Sequence, residues 1–251
     1  MDLKLKGLNA LVVGGSKGIG RACVRLFAAE GANVAFCARG GDAVTALAGE
    51  VRDSGVKVFA GAVDVAEKPA FNAWVESAAS ALGGIDILVT CVTASGMKFD
   101  EDGFRQNFEI DVIGTYRAIA AALPHLKASK HASVVNIASI AAIEEFGGPQ
   151  SFNSMKTATI VYLSQLAHAH HDIRFNSVSP GPIYEKDGFW GWVEANMPDI
   201  FAATPKTIPA GRYGTPEEVA AAVAYLSSPA AAFVNGTNLV IDGGTTKRVQ
   251  F

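Results

Sequence analysis

Short apolar runs alternate along the chain with longer stretches in which apolar residues recur every three or four positions. The first run, Asn9–Val13, ends in Gly14-Gly15, and a helical pattern from Ile19 to Phe27 follows it until Gly31. The same alternation predicts strands at Ala32–Cys37, Val56–Val63, Ile85–Val89, Ser133–Ala138, Ile173–Ser179 and Asn238–Ile241, and helices at Asp42–Ser54, Glu67–Leu82, Gly103–Leu126, Phe152–His171 and Pro216–Leu226. Near-continuous apolar strands between helices are typical of a parallel sheet covered on both faces. We therefore predict a doubly wound α/β fold with a mainly parallel sheet of about seven strands.

One long stretch, about residues 181–212, breaks this rhythm and is predicted to be irregular. Long insertions in compact domains tend to be functional lids, and this one carries the aromatic residues Tyr184, Phe189, Trp190 and Trp192. They are expected either to form a pocket wall or to pack a subunit contact. Met97, Phe99 and Phe146 are candidates for the same wall or for ordinary core packing. Because no linker interrupts the chain, residues 1–251 are predicted to form a single domain with a substrate lid.

The composition excludes several classes of partner. The chain has 251 residues and a formal net charge of −3, which gives no reason to expect nucleic acid or an anionic membrane as a partner. The 3 cysteines, Cys23, Cys37 and Cys91, cannot all pair with one another, and this favours a reducing compartment. The first residues contain no apolar signal core, and no apolar stretch is long enough to span a bilayer. The expected location is the cytoplasm.

Three histidines lie close together near one predicted helix end. They are His168, His170 and His171, and no carboxylate or cysteine of suitable spacing joins them. Their position near the negative end of a helix is a sufficient explanation. No metal site is expected.

A glycine-rich segment follows the first strand and opens the first helix. Its sequence is Gly14-Gly15-Ser16-Lys17-Gly18-Ile19-Gly20. Small residues here let the backbone turn sharply and approach a pyrophosphate, while the helix N-terminus supplies free N–H groups and a positive dipole end. In this strand–turn–helix context the segment predicts a Rossmann-type dinucleotide site.

The spacing of these glycines resembles the T-G-x-x-x-G-I-G segment of the short-chain dehydrogenase/reductase family. The resemblance continues, in order, through Asp64-Val65, Asn136–Ser139, Asn176–Gly181, Gly211–Val219 and the segments from Asn235-Gly236 to Asp242–Gly244. It implies hydride transfer between a nicotinamide cofactor and an alcohol or a ketone or aldehyde. It further implies a homotetramer or homodimer paired through the helices that contain Asp111 and Phe152. The cofactor residues it implies are Gly14, Ser16, Lys17, Gly18, Ile19, Gly20, Arg39, Asp64, Val65, Cys91, Lys156, Pro180, Gly181 and Ile183.

The end of the second strand indicates which nicotinamide cofactor is used. NAD enzymes carry an acid there, which binds the ribose 2′-hydroxyl and repels a 2′-phosphate. This strand ends in Phe36–Arg39 without an acid, and Arg39 and Lys17 can both reach a 2′-phosphate. Asp42 is predicted to cap the next helix instead. The predicted cofactor is NADP(H).

The resemblance also implies a catalytic set of serine, tyrosine, lysine and asparagine. The serine holds the substrate oxygen, the tyrosine exchanges a proton with it, the lysine lowers the tyrosine pKa and binds the nicotinamide ribose, and the asparagine completes a water-linked relay. Ser139 and Lys156 occupy two of these positions, but the tyrosine position is Phe152 and the asparagine position is Asp111. Phenylalanine fills the volume of tyrosine but has no proton to give.

Three interpretations of Phe152 follow. It is an engineered Tyr→Phe change that traps a complex, or a natural residue in an enzyme with another proton donor, or a mark of a protein that binds cofactor without redox turnover. Asp111, Glu144 and Glu145 are the candidate donors, and Asp111 is equally a helix-facing acid without such a role. Two further departures from the family are Thr90–Thr93, in place of Asn-Asn-Ala-Gly, and Glu185, in place of a carboxamide-contacting threonine.

Overall fold

The computed structural model describes residues 2–94 and 99–249. Within them a seven-stranded sheet has the order β3-β2-β1-β4-β5-β6-β7, and every neighbouring pair is parallel. The strands are β1 Asn9–Val13, β2 Asn33–Ala38, β3 Val58–Ala62, β4 Ile87–Thr90, β5 Ser133–Ile137, β6 Arg174–Pro180 and β7 Asn238–Ile241. The predicted doubly wound fold is confirmed, with a sheet that is parallel throughout. Between β2 and β6, the start of β5 is as predicted and the other strand ends differ by one or two residues. Four of these strands begin later than predicted, because their first apolar residues precede the paired backbone.

Helices cover both faces of the sheet. They are α1 Gly18–Ala29, α2 Gly41–Arg52, α3 Lys68–Leu82, α4 Glu101–Asn107, α5 Gly114–Ala128, α6 Ser151–Ala169, α7 Phe189–Asn196, α8 Pro198–Ala203 and α9 Pro216–Ser227. Buried residues of α1, α2 and α9 form one core cluster, and those of α3, α5 and α6 form the other. Successive strand residues alternate between them, since Val12 lies in the first cluster and Leu11 and Val13 in the second. This alternation explains why the strands are apolar on both faces.

The predicted helix Gly103–Leu126 is not a regular α-helix. A π-helical segment, Phe108–Ile113, separates α4 from α5. Such wide turns are rare and often occur at functional sites, and this one contains the buried residue Asp111. Apolar spacing did not indicate it, because the helical pattern continues on both sides.

Two further expectations were wrong. Asp42 does not cap α2, because the helix begins at Gly41 and Gly40 is the capping residue. Asp42 lies in the first turn of the helix, where a negative charge interacts favourably with the helix dipole. The stretch 181–212 is not wholly irregular, since it contains α7, α8 and a 3₁₀ turn, Thr204–Thr207. These helices are short, so the periodicity that marks a helix had too few residues to show.

The topology brings the candidate residues to one edge of the sheet. The strand order reverses between β1 and β4, and the crevice at the carboxyl ends of such strands is where doubly wound folds bind ligands. In the described part of the chain, no helix combines the length and apolar character that crossing a membrane requires. The same residues hold no cluster of three or more histidine, cysteine, aspartate or glutamate side chains suited to a metal ion.

Candidate active site

The glycine-rich segment forms a tight turn pressed against the end of β4. A Cβ on Gly14 would lie 2.6 Å from the carbonyl oxygen of Cys91, and a Cβ on Gly20 would lie 2.1 Å from that of Gly14. Gly14 also has a φ of +84°, a conformation that side chains rarely adopt. The turn therefore requires glycine at both positions. Helix α1 begins immediately after it, with Gly18 as its first residue.

A cleft of about 330 Å³ opens beside this turn, over the carboxyl ends of β1 to β4. The predicted cofactor residues that line it are Gly14, Ser16, Lys17, Arg39, Asp64, Val65 and Cys91. Among the residues that the structure describes, neither Lys17 nor Arg39 forms an ion pair with an acid. Both side chains are exposed. A cleft with a glycine cradle and two uncompensated cations fits a phosphorylated dinucleotide.

The predicted cofactor residues after β6 lie apart from this cleft. Pro180 ends β6, and a Cβ on Gly181 would lie 2.7 Å from the Cα of Asp242, so that glycine permits close packing between two chain segments. Ile183 pairs with Gly214 through an isolated β-bridge and borders a second, smaller cavity of about 90 Å³. The structure therefore places these three residues at the carboxyl end of β6 and not on the wall of the first cleft.

Ser139 caps a short 3₁₀ turn, Ile140–Ala142, directly after β5. Its hydroxyl oxygen accepts a hydrogen bond from the N–H of Ala141 at 3.1 Å, and the residue is half-buried. This contact holds the oxygen at the edge of the sheet. The hydroxyl proton is still available to a substrate oxygen.

Lys156 lies one helical turn after Phe152 and is almost fully buried. Its Nζ donates hydrogen bonds to the carbonyl oxygens of Val92 at 3.0 Å and Ile137 at 3.1 Å. It also lies 3.0 Å from Oδ1 of Asp111, an ion pair in which neither side chain is more than 5% exposed. The three contacts of the ammonium are thus all made within the protein.

Asp111 is held in turn by its own neighbours. Its Oδ2 accepts hydrogen bonds from the N–H of Ala94 at 3.1 Å and from the side-chain amide of Asn107 at 3.0 Å. The Asn107 oxygen accepts from the hydroxyl of Ser151 at 2.8 Å. A buried charge is tolerated only when it is paired and hydrogen-bonded, and this network meets both conditions.

Phe152 lies in the first turn of α6 and is half-buried. The Nζ of Lys156 lies 5.7 Å from the centroid of its ring, within the range of a cation–π contact. The aromatic ring therefore keeps a contact with the lysine while it offers no hydroxyl. The side chain can pack against a substrate but cannot exchange a proton with it.

The other two candidate proton donors, Glu144 and Glu145, are bonded elsewhere, and so is Glu185, which was not a candidate donor. Glu144 accepts a hydrogen bond from the N–H of Lys247 at 3.0 Å, and Glu145 accepts one from the N–H of Gly148 at 2.8 Å. Glu185 is paired with Arg21 on α1. These contacts tie the three carboxylates to the C-terminal segment, to a loop and to the first helix.

The segment that replaces Asn-Asn-Ala-Gly still ties the sheet together. The Thr90 hydroxyl donates to the side-chain oxygen of Asn136 at 2.9 Å, and the Asn136 amide donates to the hydroxyl of Thr159 at 3.1 Å. All three residues are buried. Side-chain hydrogen bonds therefore join β4, β5 and α6 beneath the site.

The aromatic residues in and beside the segment 181–212 divide into a packed group and an exposed pair. Tyr213 packs between Trp190 and Phe201, at centroid distances of 4.9 and 4.8 Å. Trp192 stacks on Phe189, and both are exposed. Phe99 is also exposed and Phe146 is half-buried, whereas Met97 lies outside the described residues.

Comparison with known proteins identifies the family. The model of a family described as enoyl-(acyl carrier protein) reductase matches residues 13–246. The isoepoxydon dehydrogenase of Penicillium expansum is 34% identical over 98% of this chain and 98% of its own length. The chain belongs to the short-chain dehydrogenase/reductase family. The resemblance stated from the sequence motifs is confirmed, and the chain is an oxidoreductase of that family.

Solved structures of family members superpose closely on this chain. The L-sorbose reductase of Gluconobacter frateurii, complexed with NADPH and L-sorbose, has a TM-score of 0.91 and 29% identity, and the match covers 99% of this chain and 100% of that one. An NADPH-bound short-chain oxidoreductase of Pseudomonas aeruginosa PAO1, which contains an atypical catalytic center, has a TM-score of 0.87 and 26% identity over 96% and 98% of the two chains.

Sequence reasoning missed two residues that shape this short-chain dehydrogenase/reductase site. Asn107 lies one helical turn before Asp111, so its spacing was a usable signal for a shared helix face. Arg21 pairs with Glu185 across 164 positions of chain, and no local pattern indicates such a contact.

Proposed function

We propose that the chain is an NADP(H)-dependent oxidoreductase that interconverts an alcohol with a ketone or aldehyde, and that Phe152 impairs its proton transfer. The observation that carries this proposal is the cleft at the glycine-rich turn, where Lys17 and Arg39 are not ion-paired within the described residues. NADP(H), when bound, supplies or accepts a hydride. The residues of this chain bind it and orient the substrate.

Each part of the site has a proposed role. The cations of Lys17 and Arg39 bind the ribose 2′-phosphate, the backbone N–H groups at Gly18–Gly20 bind the pyrophosphate, and Asp64 and Val65 contact the adenine. The hydroxyl of Ser139 donates to the substrate oxygen. Lys156 reaches the nicotinamide ribose only if one of its three present contacts is exchanged for a ribose hydroxyl.

Phe152 limits this chemistry because it has no proton to exchange. General acid–base catalysis contributes about 10²- to 10⁴-fold in rate. The substrate and the cofactor can both be placed correctly for hydride transfer. The alkoxide that forms when a carbonyl is reduced still lacks a side chain that donates a proton to it. Turnover is therefore proposed to be slow rather than absent.

The Asp111–Lys156 ion pair favours a second candidate function. In it the protein binds NADP(H) and either has no redox turnover or uses a different side chain as the proton donor. In the family arrangement the lysine charge assists the tyrosine, but here a buried carboxylate compensates it. An engineered Tyr→Phe change that traps a complex would account for Phe152. It would not account for Asp111 at the asparagine position. The NADPH-bound relative with an atypical catalytic center supports the view that cofactor binding persists in such sites.

The helices beside the site support an oligomer. Phe108, Tyr116 and Val161, on the π-helical segment, α5 and α6, are 49%, 51% and 52% exposed. Burying large apolar groups between copies of the chain is favourable. We propose a homotetramer or homodimer paired through these helices, located in the cytoplasm, with the segment 181–212 as its substrate lid.

Calorimetric titration with NADPH and NADH tests the cofactor proposal. Arg39→Ala is expected to weaken NADPH binding about 10- to 100-fold and to leave NADH binding unchanged, because a charge-assisted hydrogen bond contributes about 1.5–3 kcal/mol. Arg52→Ala, an exposed arginine at the end of α2, is the control for net charge. Failure of the protein to bind either dinucleotide, both unaltered and with the Glu185 charge removed, would rule out the proposal.

A further inference from the structure

Glu185 lies against the first residue of the helix that follows the glycine-rich turn. Its Oε2 is 2.8 Å from the point where a Cβ would stand on Gly18, and its Oε1 is paired with the guanidinium of Arg21. The side chain is only 16% exposed. A carboxylate from the segment after β6 is thus packed onto the N-terminus of α1.

The N-terminus of α1 attracts an anion and lacks one from its own helix. Lys17, the residue before the helix, provides no side-chain cap, and the first turn contains no acid. The free N–H groups and the positive dipole end favour negative charge at this point. The carboxylate of Glu185, which is paired with Arg21, is the negative group that lies beside this point.

The Glu185 carboxylate lies beside Gly18, whose backbone N–H is among those proposed to bind the pyrophosphate. Two negative groups within a few ångströms repel each other, and the repulsion is larger where solvent is partly excluded. We propose that Glu185 competes with the cofactor pyrophosphate for the N-terminus of α1, so that cofactor binding requires Glu185 to leave Gly18. This inference rests on the proposed NADP(H) function.

Movement of Glu185 is coupled to the lid through its backbone. The N–H of Gly188 donates to the carbonyl oxygen of Glu185 at 3.0 Å, and a Cβ on Gly191 would lie 2.7 Å from that same oxygen. Helix α7 therefore begins packed on Glu185. If the backbone of Glu185 moves as its carboxylate leaves Gly18, the start of α7 shifts with it, and cofactor occupancy then sets the position of the lid.

Binding measurements on matched variants test the competition. Glu185→Thr and Glu185→Gln remove the charge, and Glu50→Gln removes an equal charge from α2, where that carboxylate is paired with Arg25 of α1. Calorimetry with NADPH is expected to show Kd at least about 10-fold lower for the two Glu185 variants and within about twofold of the unaltered protein for Glu50→Gln. The gain is expected to shrink as salt rises from about 0.05 to 0.5 M, because screening weakens the repulsion.

Hydrogen exchange of α7 provides a second readout that does not depend on turnover. Saturating NADPH is expected to speed exchange at Phe189–Asn196 in the unaltered protein, and Glu185→Thr is expected to show the faster exchange without cofactor. Tight NADPH binding with equal Kd values in all the variants would overturn the competition and leave the proposed function standing. Absence of binding in every variant would overturn both, whereas binding only after Glu185→Thr would support both.

Discussion

The residues around the glycine-rich turn and those around Lys156 lie at the same edge of one sheet, but they differ in what they retain. Around the turn, Lys17 and Arg39 still present their charges to an open cleft. Around Lys156, the ammonium is enclosed by two carbonyl oxygens and Asp111, and the neighbouring aromatic ring has no hydroxyl. The first region presents free charges to a cleft, whereas the second is closely packed and offers no hydroxyl at position 152. Under the proposed function, cofactor binding and proton transfer are therefore separable in this chain.

Restoring the hydroxyl at position 152 is the largest expected effect. Phe152→Tyr should raise the rate of carbonyl reduction with NADPH at least about 100-fold, because a positioned acid contributes about 10²- to 10⁴-fold. A panel of ketones and aldehydes, followed by NADPH absorbance, measures it. Phe233→Tyr, which adds the same hydroxyl at a fully exposed position away from the site, is the control. No gain on any substrate would count against a disabled reductase.

The Asp111 charge sharpens the same experiment. The Asp111 carboxylate neutralises the positive charge of Lys156. It therefore disfavours the phenolate form of the tyrosine in Phe152→Tyr and raises the pKa of its hydroxyl. Phe152→Tyr combined with Asp111→Asn should therefore oxidise alcohols at a lower pH than Phe152→Tyr alone. Identical pH–rate profiles for the two proteins would show that Asp111 does not influence the reacting group.

Breaking the buried ion pair is the next effect in size. Asp111→Ala should lower the free energy of unfolding by about 3–5 kcal/mol, because it leaves the Lys156 ammonium buried without its counter-ion. Urea unfolding measures the change. Glu109→Ala is the matched control, since it breaks the more exposed pair with Arg117, and such pairs contribute about 0.2–1 kcal/mol. Equal losses in the two variants would mean that the Asp111 pair does not stabilise the fold.

Thiol labelling examines the nucleotide region without turnover. Cys91 is half-buried in the cleft, whereas burial raises the pKa of Cys37 to about 12, so that its thiolate is scarce at pH 8. NADPH at ten times its Kd should slow alkylation of Cys91 about 10-fold by occupying the cleft. Cys91→Ser should abolish the protected fraction. Equal labelling with and without NADPH would place the cofactor elsewhere.

The smallest effect is expected outside both regions, at the start of α9. Arg212 and the N–H of Thr215 hold the pKa of Glu218 at about 2, below the ordinary carboxyl range of about 4.3. The stabilisation is therefore present above the unfolded-state pKa and is lost as the pH falls toward 2. Because the side chains are exposed, Glu218→Gln should cost at most about 1 kcal/mol at pH 7, with a smaller difference at pH 3. Urea midpoints that differ by the same amount at both pH values would contradict this.

Much of the fold was predictable because local signals agree with the global arrangement. β1 and β7 have their predicted bounds, and the glycines at positions 14 and 20 occupy positions where a Cβ would collide with backbone. The π-helical segment at Phe108–Ile113 was not predictable, because a single wide turn changes the register of a helix without changing its apolar spacing. The short helices α7 and α8 were missed for lack of length.

By itself the sequence determined the doubly wound sheet, the glycine-rich turn, the cations beside it and the missing hydroxyl at position 152. Each depends on residue type and on spacing along a short piece of chain. Only the tertiary structure decided that Lys156 forms an ion pair with Asp111 and that the Glu185 carboxylate lies beside Gly18. These contacts join segments that are far apart in the sequence but meet at the edge of the sheet. The residues next to a charged side chain in the sequence do not indicate which distant residue it will contact.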